Sequence, residues 1–110
     1  MQRNLSSVSF TTQQAARRNQ VKAIRWTKHA MQNIVDRSVD QRIAEKAIQD
    51  PEFTVADPPD REIRMRRYFD EDAQQMMLLR VVIEEVESEI VVVTLYKTSQ
   101  LKRYLKGLLP

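Results

Sequence analysis

The second half of the chain decides what it can fold into. Arg61 to Phe69, Met76 to Glu84 and Glu89 to Lys97 are three runs of strand-forming residues separated by short acidic breaks. The first run alternates apolar with polar side chains, and the other two are dense in Val, Ile and Leu. Side chains alternate along a strand, so such runs form a sheet with at least one face that must be covered. A shorter run, Phe53 to Asp57, precedes them and ends at the turn Pro58-Pro59-Asp60. The later breaks are Asp70-Glu71-Asp72 and Glu85-Val86-Glu87-Ser88. Gly107 is the only glycine, which rules out two-residue Asn-Gly hairpins and predicts loops of three or more residues on type I turns.

Cover for the sheet comes from the segment before it. Thr27 is a plausible N-cap, and Trp26, Ala30, Ile34 with Met31 and Val35 keep the i, i+4 spacing of a buried stripe to about Arg37. Ser38 and Asp40 interrupt it and offer caps for a second helix, whose apolar face is Ile43, Ala44, Ala47 and Ile48. Asp50-Pro51 stops that helix. Ahead of Thr27, Val21, Ala23, Ile24 and Trp26 form an apolar entry that reads either as a small strand or as the approach to the helix. Leu101, Tyr104 and Leu105 suggest a closing helix within Ser99 to Lys106. The expectation is an α+β domain: two N-terminal helices packed on a four-stranded antiparallel β-meander, closed by a short C-terminal helix.

Residues 1 to 20 are polar, with Leu5, Val8 and Phe10 as scattered anchors, and bury too little apolar surface to offset their ordering entropy. They are expected to form a flexible basic arm before a single domain over 21 to 110. Charge is uneven along the chain. Arg3, Arg17, Arg18, Lys22, Arg25 and Lys28 precede the first acid, Asp36, whereas the rest carries 12 basic and 15 acidic residues. The arm reads as a solvated tail or as a polyanion contact, and its Ser/Arg composition also resembles a transit peptide. With no cysteine and His29 as the only histidine, neither a disulfide framework nor a zinc site within one chain is expected. No apolar run approaches the ~20 residues of a membrane span. The chain reads as cytoplasmic, without a membrane partner or cofactor.

Parity sorts the strands into two faces. Ile63, Met65, Phe69, Met77, Leu79, Val81, Ile83, Val91, Val93 and Leu95 make an apolar odd face, expected under the helices. The even face carries Arg64, Arg66, Tyr68, Arg80, Thr94 and Tyr96. A three-residue loop at Val86 to Ser88 would set Arg80 opposite Thr94, with Arg64 or Arg66 on its other side. Guanidiniums among tyrosines suit phosphate and base contacts. They equally suit a solvated face on which Arg and Tyr serve as amphipathic cover. Arg80 stands out, because a cation within "LLRVV" needs a partner or a ligand.

"WTKHAMQNIVDRSV" (Trp26 to Val39), "AIQDPEFTVAD" (Ala47 to Asp57), "LLRVVIEE" (Leu78 to Glu85) and "IVVVTLYKTS" (Ile90 to Ser99) together resemble the bacterial family called domain of unknown function 4258. The plan is more distantly similar to BrnT- and RelE-type ribonuclease toxins, which cleave RNA without a metal. The family pattern falls on His29, Arg37, Arg80, Thr94, Tyr96, Thr98 and Ser99, and Lys97 stands where proline is more usual. The resemblance implies an RNA-binding, toxin-type domain, a metal-independent endoribonuclease, with RNA and an antitoxin-like protein as partners. Arg80, His29 and Tyr96 are its catalytic candidates. Arg64, Arg66, Tyr68, Arg37, Thr94, Thr98 and Ser99 are its RNA-binding candidates. The alternative is a noncatalytic protein- or nucleic-acid-interaction module of the same fold, with His29 structural and Arg37 complementing a helix dipole.

Overall fold

The computed structural model describes residues 22–109, so the arm expected over residues 1–20 lies outside the described residues. Strand β1 (Ala23–Trp26) leads into helices α1 (Lys28–Asp36) and α2 (Gln41–Gln49). Strands β2 (Phe53–Asp57), β3 (Arg61–Asp70), β4 (Gln75–Glu85) and β5 (Glu89–Thr98) follow, and α3 (Leu101–Leu105) comes last. The sheet is five-stranded in the order β1-β5-β4-β3-β2. Its last four strands form the expected antiparallel meander. The apolar entry before Thr27 adds a fifth strand, parallel to β5, which makes the sheet mixed.

Local signals set the helix boundaries. The Thr27 hydroxyl accepts from the Ala30 N–H at 3.0 Å, and the Asp40 carboxylate accepts from the Arg42 N–H at 2.9 Å. At the end of α1, Val39 N–H reaches Ile34 C=O at 3.0 Å and Ser38 N–H reaches Val35 C=O at 3.3 Å. That is a Schellman closure, with Ser38 at φ 52° where glycine is usual. It tucks Val39 into the core and turns the chain into α2.

Helices α1 and α2 cover one face of the sheet. Ala30, Val39, Ala44, Ala47 and Ile48 pack on Leu79, Val81, Ile83, Ile90, Val92 and Leu95, all buried. Each such side chain taken from water contributes about 1.5–3 kcal/mol, which specifies the register of the central strands. The opposite face has a smaller cluster. There Met65 and Leu78 are covered by Leu105, with Phe53, Val55, Ile63, Leu101 and Tyr104 around them. The expected docking of the closing helix through Leu101, Tyr104 and Leu105 is therefore what the fold uses.

The face assignment by parity needs correction in two strands. Asp70 pairs with Gln75, which leaves the four residues Glu71–Gln74 in the loop. A loop of even length pairs odd positions with even ones, so Met65 lies opposite Arg80 and Arg64 opposite Val81. Ile63 and Met65 consequently face away from α1 and α2, while Arg64, Arg66 and Tyr68 share the helix-covered face. In β5, Glu85 pairs with Ile90, and a bulge between Val82 and Ile83 leaves Val93 as the extra residue. Ile90 and Val92 therefore face the helices in place of Val91 and Val93. Beyond the bulge the expected parity returns, and Arg80 pairs with Tyr96, two residues from the expected Thr94.

Strand β1 covers only Glu89 to Val92 of its neighbour. Past that point α1 serves the edge of β5 with side chains. The Thr27 hydroxyl donates to Val92 C=O at 2.8 Å, and Arg37 Nη1 donates to Leu95 C=O at 2.7 Å. Between them, buried Asn33 accepts from Leu95 N–H at 3.1 Å and from the Thr94 hydroxyl at 2.6 Å. The polar stripe of α1 thus stands in for a neighbouring strand, protecting an edge that would otherwise be open to pairing.

Candidate nucleic-acid interface

Pairing across β4 and β5 sets Arg80 beside Tyr96 on the face away from α1 and α2. Helix α3 then lays Tyr104 over the same guanidinium. Arg80 Cζ lies 4.3 Å from the Tyr104 ring centroid and 5.4 Å from that of Tyr96. The two rings meet edge to face at 6.3 Å. Arg80 Nη1 donates to the Tyr96 hydroxyl, and Nε lies 3.4 Å from Met65 Sδ. Arg103 approaches the Tyr104 ring at 5.3 Å. Among the described residues no carboxylate pairs with Arg80, although ten other pairs of opposite charge form. This half-buried guanidinium is met by ring faces and a thioether, and two of its five N–H donors are engaged, by Met65 and Tyr96.

Burial raises the pKa of the Tyr96 hydroxyl above its ordinary value, with the Tyr104 hydroxyl adding to the rise and Arg80 opposing it. The phenol is therefore protonated at neutral pH, able to donate a hydrogen bond or a proton but unsuited to accept one as a base. On its outer side Tyr96 lines a concavity of about 540 Å³ with Arg37 and Lys97. Lys97 is neutralised there, since its ammonium lies 2.8 Å from the Asp70 carboxylate and 3.3 Å from Ser38 C=O. One Arg37 nitrogen bonds Leu95 C=O, and no described carboxylate pairs with the guanidinium.

The remaining candidates lie elsewhere or are engaged. Arg64 Nη1 donates to Ile48 C=O at 2.7 Å and its other nitrogens meet Glu62 and Glu85. Arg66 Nη1 donates to Asp50 C=O at 2.7 Å. Both arginines thus close the C-terminal end of α2, where cations complement the helix dipole. Tyr68 donates to Asp70 Oδ2 at 3.1 Å under the helices. Thr94 is held by Asn33, and the Thr98 hydroxyl accepts from Gln100 N–H at 3.0 Å at the start of α3. Ser99 is exposed and lines a separate concavity with Met76 and Leu101. His29 is exposed on α1 and makes no hydrogen bond with a described residue.

Of ten candidates, the structure thus gathers Arg80 and Tyr96, with Arg37 on the far side of the Tyr96 ring. It adds Tyr104 as the second wall of the site. The i, i+3, i+4 spacing of Leu101, Tyr104 and Leu105 was its signal, since a ring on the docking stripe of a closing helix must lie against the sheet. Asn33 was also missed, because a buried asparagine that serves a sheet edge looks like any polar helix residue. Among the described residues no group of three or more His, Cys, Asp or Glu is placed to hold a metal ion, and no helix is long and apolar enough to cross a membrane.

Helices on one face of a mixed sheet and a guanidinium between tyrosines on the other define an α+β domain with a cluster of arginine and tyrosine on its open face. The chain belongs to the family described as Domain of unknown function (DUF4258), whose model matches residues 26–97. That span contains Arg37, Arg80 and Tyr96 and ends before α3. Neither the curated proteins nor the solved structures contain a match to the chain.

Proposed function

We propose that this domain binds single-stranded RNA at Arg80, Tyr96 and Tyr104 and acts as a toxin-type, metal-independent endoribonuclease of the BrnT/RelE kind. The observation that carries this reading is the half-buried Arg80 guanidinium, held between two tyrosines with no carboxylate partner among the described residues. An uncompensated cation of this kind favours an anionic ligand, and the planar fork matches a phosphate. The phenol rings are suited to bases once these are unstacked in a single strand.

In cleavage, the RNA 2′-hydroxyl loses its proton to water and its oxygen bonds the adjacent phosphorus, closing a 2′,3′-cyclic phosphate as the bond to the 5′-oxygen of the next nucleotide breaks. Arg80 stabilises the charge that grows on the phosphorane, and the protonated Tyr96 hydroxyl donates to the departing oxygen. The cluster offers no general base, which supports a second reading, a noncatalytic RNA-interaction module. His29 could serve as the base only if RNA bridged α1 and the sheet.

The test incubates purified protein with single-stranded RNA in EDTA and follows binding and cleavage separately. Arg80→Met keeps the apolar stem and is expected to lose at least tenfold in RNA affinity, with cleavage falling alongside. Arg80→Lys should bind better than it cleaves, because charge remains and the fork is gone. Tyr96→Phe should lower cleavage at saturating RNA and spare binding. Binding without cleavage in the wild type selects the module. No RNA binding by the wild type removes both RNA readings and leaves a module that binds protein.

A further inference from the structure

We infer that Arg37 is a second phosphate subsite, so that the ligand is a single strand whose backbone passes from the sheet face around the β5 edge, with Tyr96 between consecutive contacts. This rests on the RNA-binding reading and adds to it the path and strandedness of the ligand.

The argument starts from what Arg37 must do for the fold. It follows α1, and one guanidinium nitrogen satisfies the Leu95 carbonyl at the open edge of β5. A single donor suffices for that, and an amide or an ammonium could supply it. A guanidinium carries five N–H donors, and the concavity of about 540 Å³ bounded by Arg37, Tyr96 and Lys97 lies where the others are free to act. Lys97 adds no net charge, because Asp70 holds its ammonium at 2.8 Å. Of the charged residues that line the concavity, Arg37 is therefore the one with no carboxylate partner among the described residues.

Tyr96 connects this cation to the first site. Its hydroxyl accepts from Arg80 on the sheet face, while its outer side lines the Arg37 concavity at the edge. Two cations without carboxylate partners among the described residues thus flank one aromatic ring, one on the face and one around the corner. A stacked duplex presents a continuous backbone and buries its base faces, so it cannot follow that corner and place a base on Tyr96. A flexible single strand can do both.

The experiment measures the affinity of an eight-nucleotide oligouridylate for wild type, Arg37→Gln and Arg80→Met across a salt series, with melting curves for each protein. Each phosphate contact to single-stranded nucleic acid contributes a slope of about −0.7 to log K against log salt. Arg37→Gln should weaken binding several-fold and flatten the slope by about 0.7. Arg37→Lys should hold the slope. A duplex of the same length should bind wild type at least tenfold more weakly. If Arg80→Met flattens the slope and Arg37→Gln leaves it unchanged, Arg37 only closes the sheet edge and the inference falls, while the RNA-binding reading stands. If neither variant alters binding, the RNA-binding reading itself falls. Should Arg37→Gln melt below the working temperature, the Arg37 Nε–H resonance of the wild type is followed on adding the oligouridylate. A shift supports the subsite, and an unmoved resonance beside a shifted Arg80 signal overturns it.

Discussion

The covered face of this sheet and the Arg80 cluster on the opposite face treat the same kind of residue differently. On the face under α1 and α2, Arg64, Arg66 and Lys97 are partly buried, and each is matched by a carboxylate. On the other face Arg67 is matched by Glu52, whereas only rings and a sulfur meet half-buried Arg80 among the described residues. A matched cation has its donors committed and becomes part of the scaffold. An unmatched one retains the free energy of pairing for a ligand. On the proposed reading, counter-charges rather than arginine content distinguish a site from a scaffold.

The contrast breaks most visibly at the apolar centre of the covered face. Val81→Asp places an unpaired carboxylate where no solvent reaches, and a loss of about 4 kcal/mol or more is expected, enough to abolish soluble expression. Val92→Asp should behave the same way. Val93→Asp, at the bulge and only half-buried, should be tolerated much better, so comparing melts of the two tests the register.

Asp70→Asn comes next. The Asp70 carboxylate is buried and meets Lys97, the Ala73 N–H and the Tyr68 hydroxyl, so removing its charge should cost about 2–4 kcal/mol. Lys97, first among its causes, and the Ala73 N–H hold the Asp70 pKa down at about 2. A carboxylate with a depressed folded pKa contributes stability in full above its unfolded value, near 3.9, and loses it as pH falls through the folded one. Urea unfolding between pH 7 and pH 2 should therefore show wild-type stability falling below pH 4 more steeply than that of Asp70→Asn. Parallel acid limbs would show that Asp70 does not carry this effect.

Asn33→Ala should cost about 1–3 kcal/mol, because the buried Leu95 N–H loses its acceptor at the sheet edge. Hydrogen exchange at Leu95 is the sharper readout, and it should accelerate with little change on β3. The smallest effect is expected for Arg80→Met. Its contacts with Tyr96 and Tyr104 contribute about 1 kcal/mol, and losing a half-buried charge offsets part of that. A melting curve close to wild type, combined with lost RNA binding, would place Arg80 outside the scaffold. A large drop in stability would join it to the matched cations of the other face.

Most elements were legible in the amino-acid pattern because their determinants are local. Thr27 and Asp40 cap helices through their own side chains, Asp50-Pro51 stops α2, and the valine-rich runs are strands wherever they pair. Arg80 was legible as an anomaly, since a cation in an apolar strand needs compensation in any fold. The companions chosen for it, Arg64 and Arg66, were misplaced by one face. That error came from loop length alone, because a three- and a four-residue loop look alike in composition and send the next strand's side chains to opposite sides.

The sequence by itself determined the class of fold, the order of its helices and strands from Thr27 onward, and the need of Arg80 for a partner. These follow from side-chain periodicity, capping and the cost of burying charge, all of which act within a few residues. Only the tertiary structure decided that β1 joins β5 in parallel, that Tyr104 closes over Arg80, and that Arg37 and Asn33 serve the edge of β5. Each depends on register between segments far apart in the chain. Register is set by the sum of core packing, one bulge and two loop lengths, a quantity that no local stretch of residues contains.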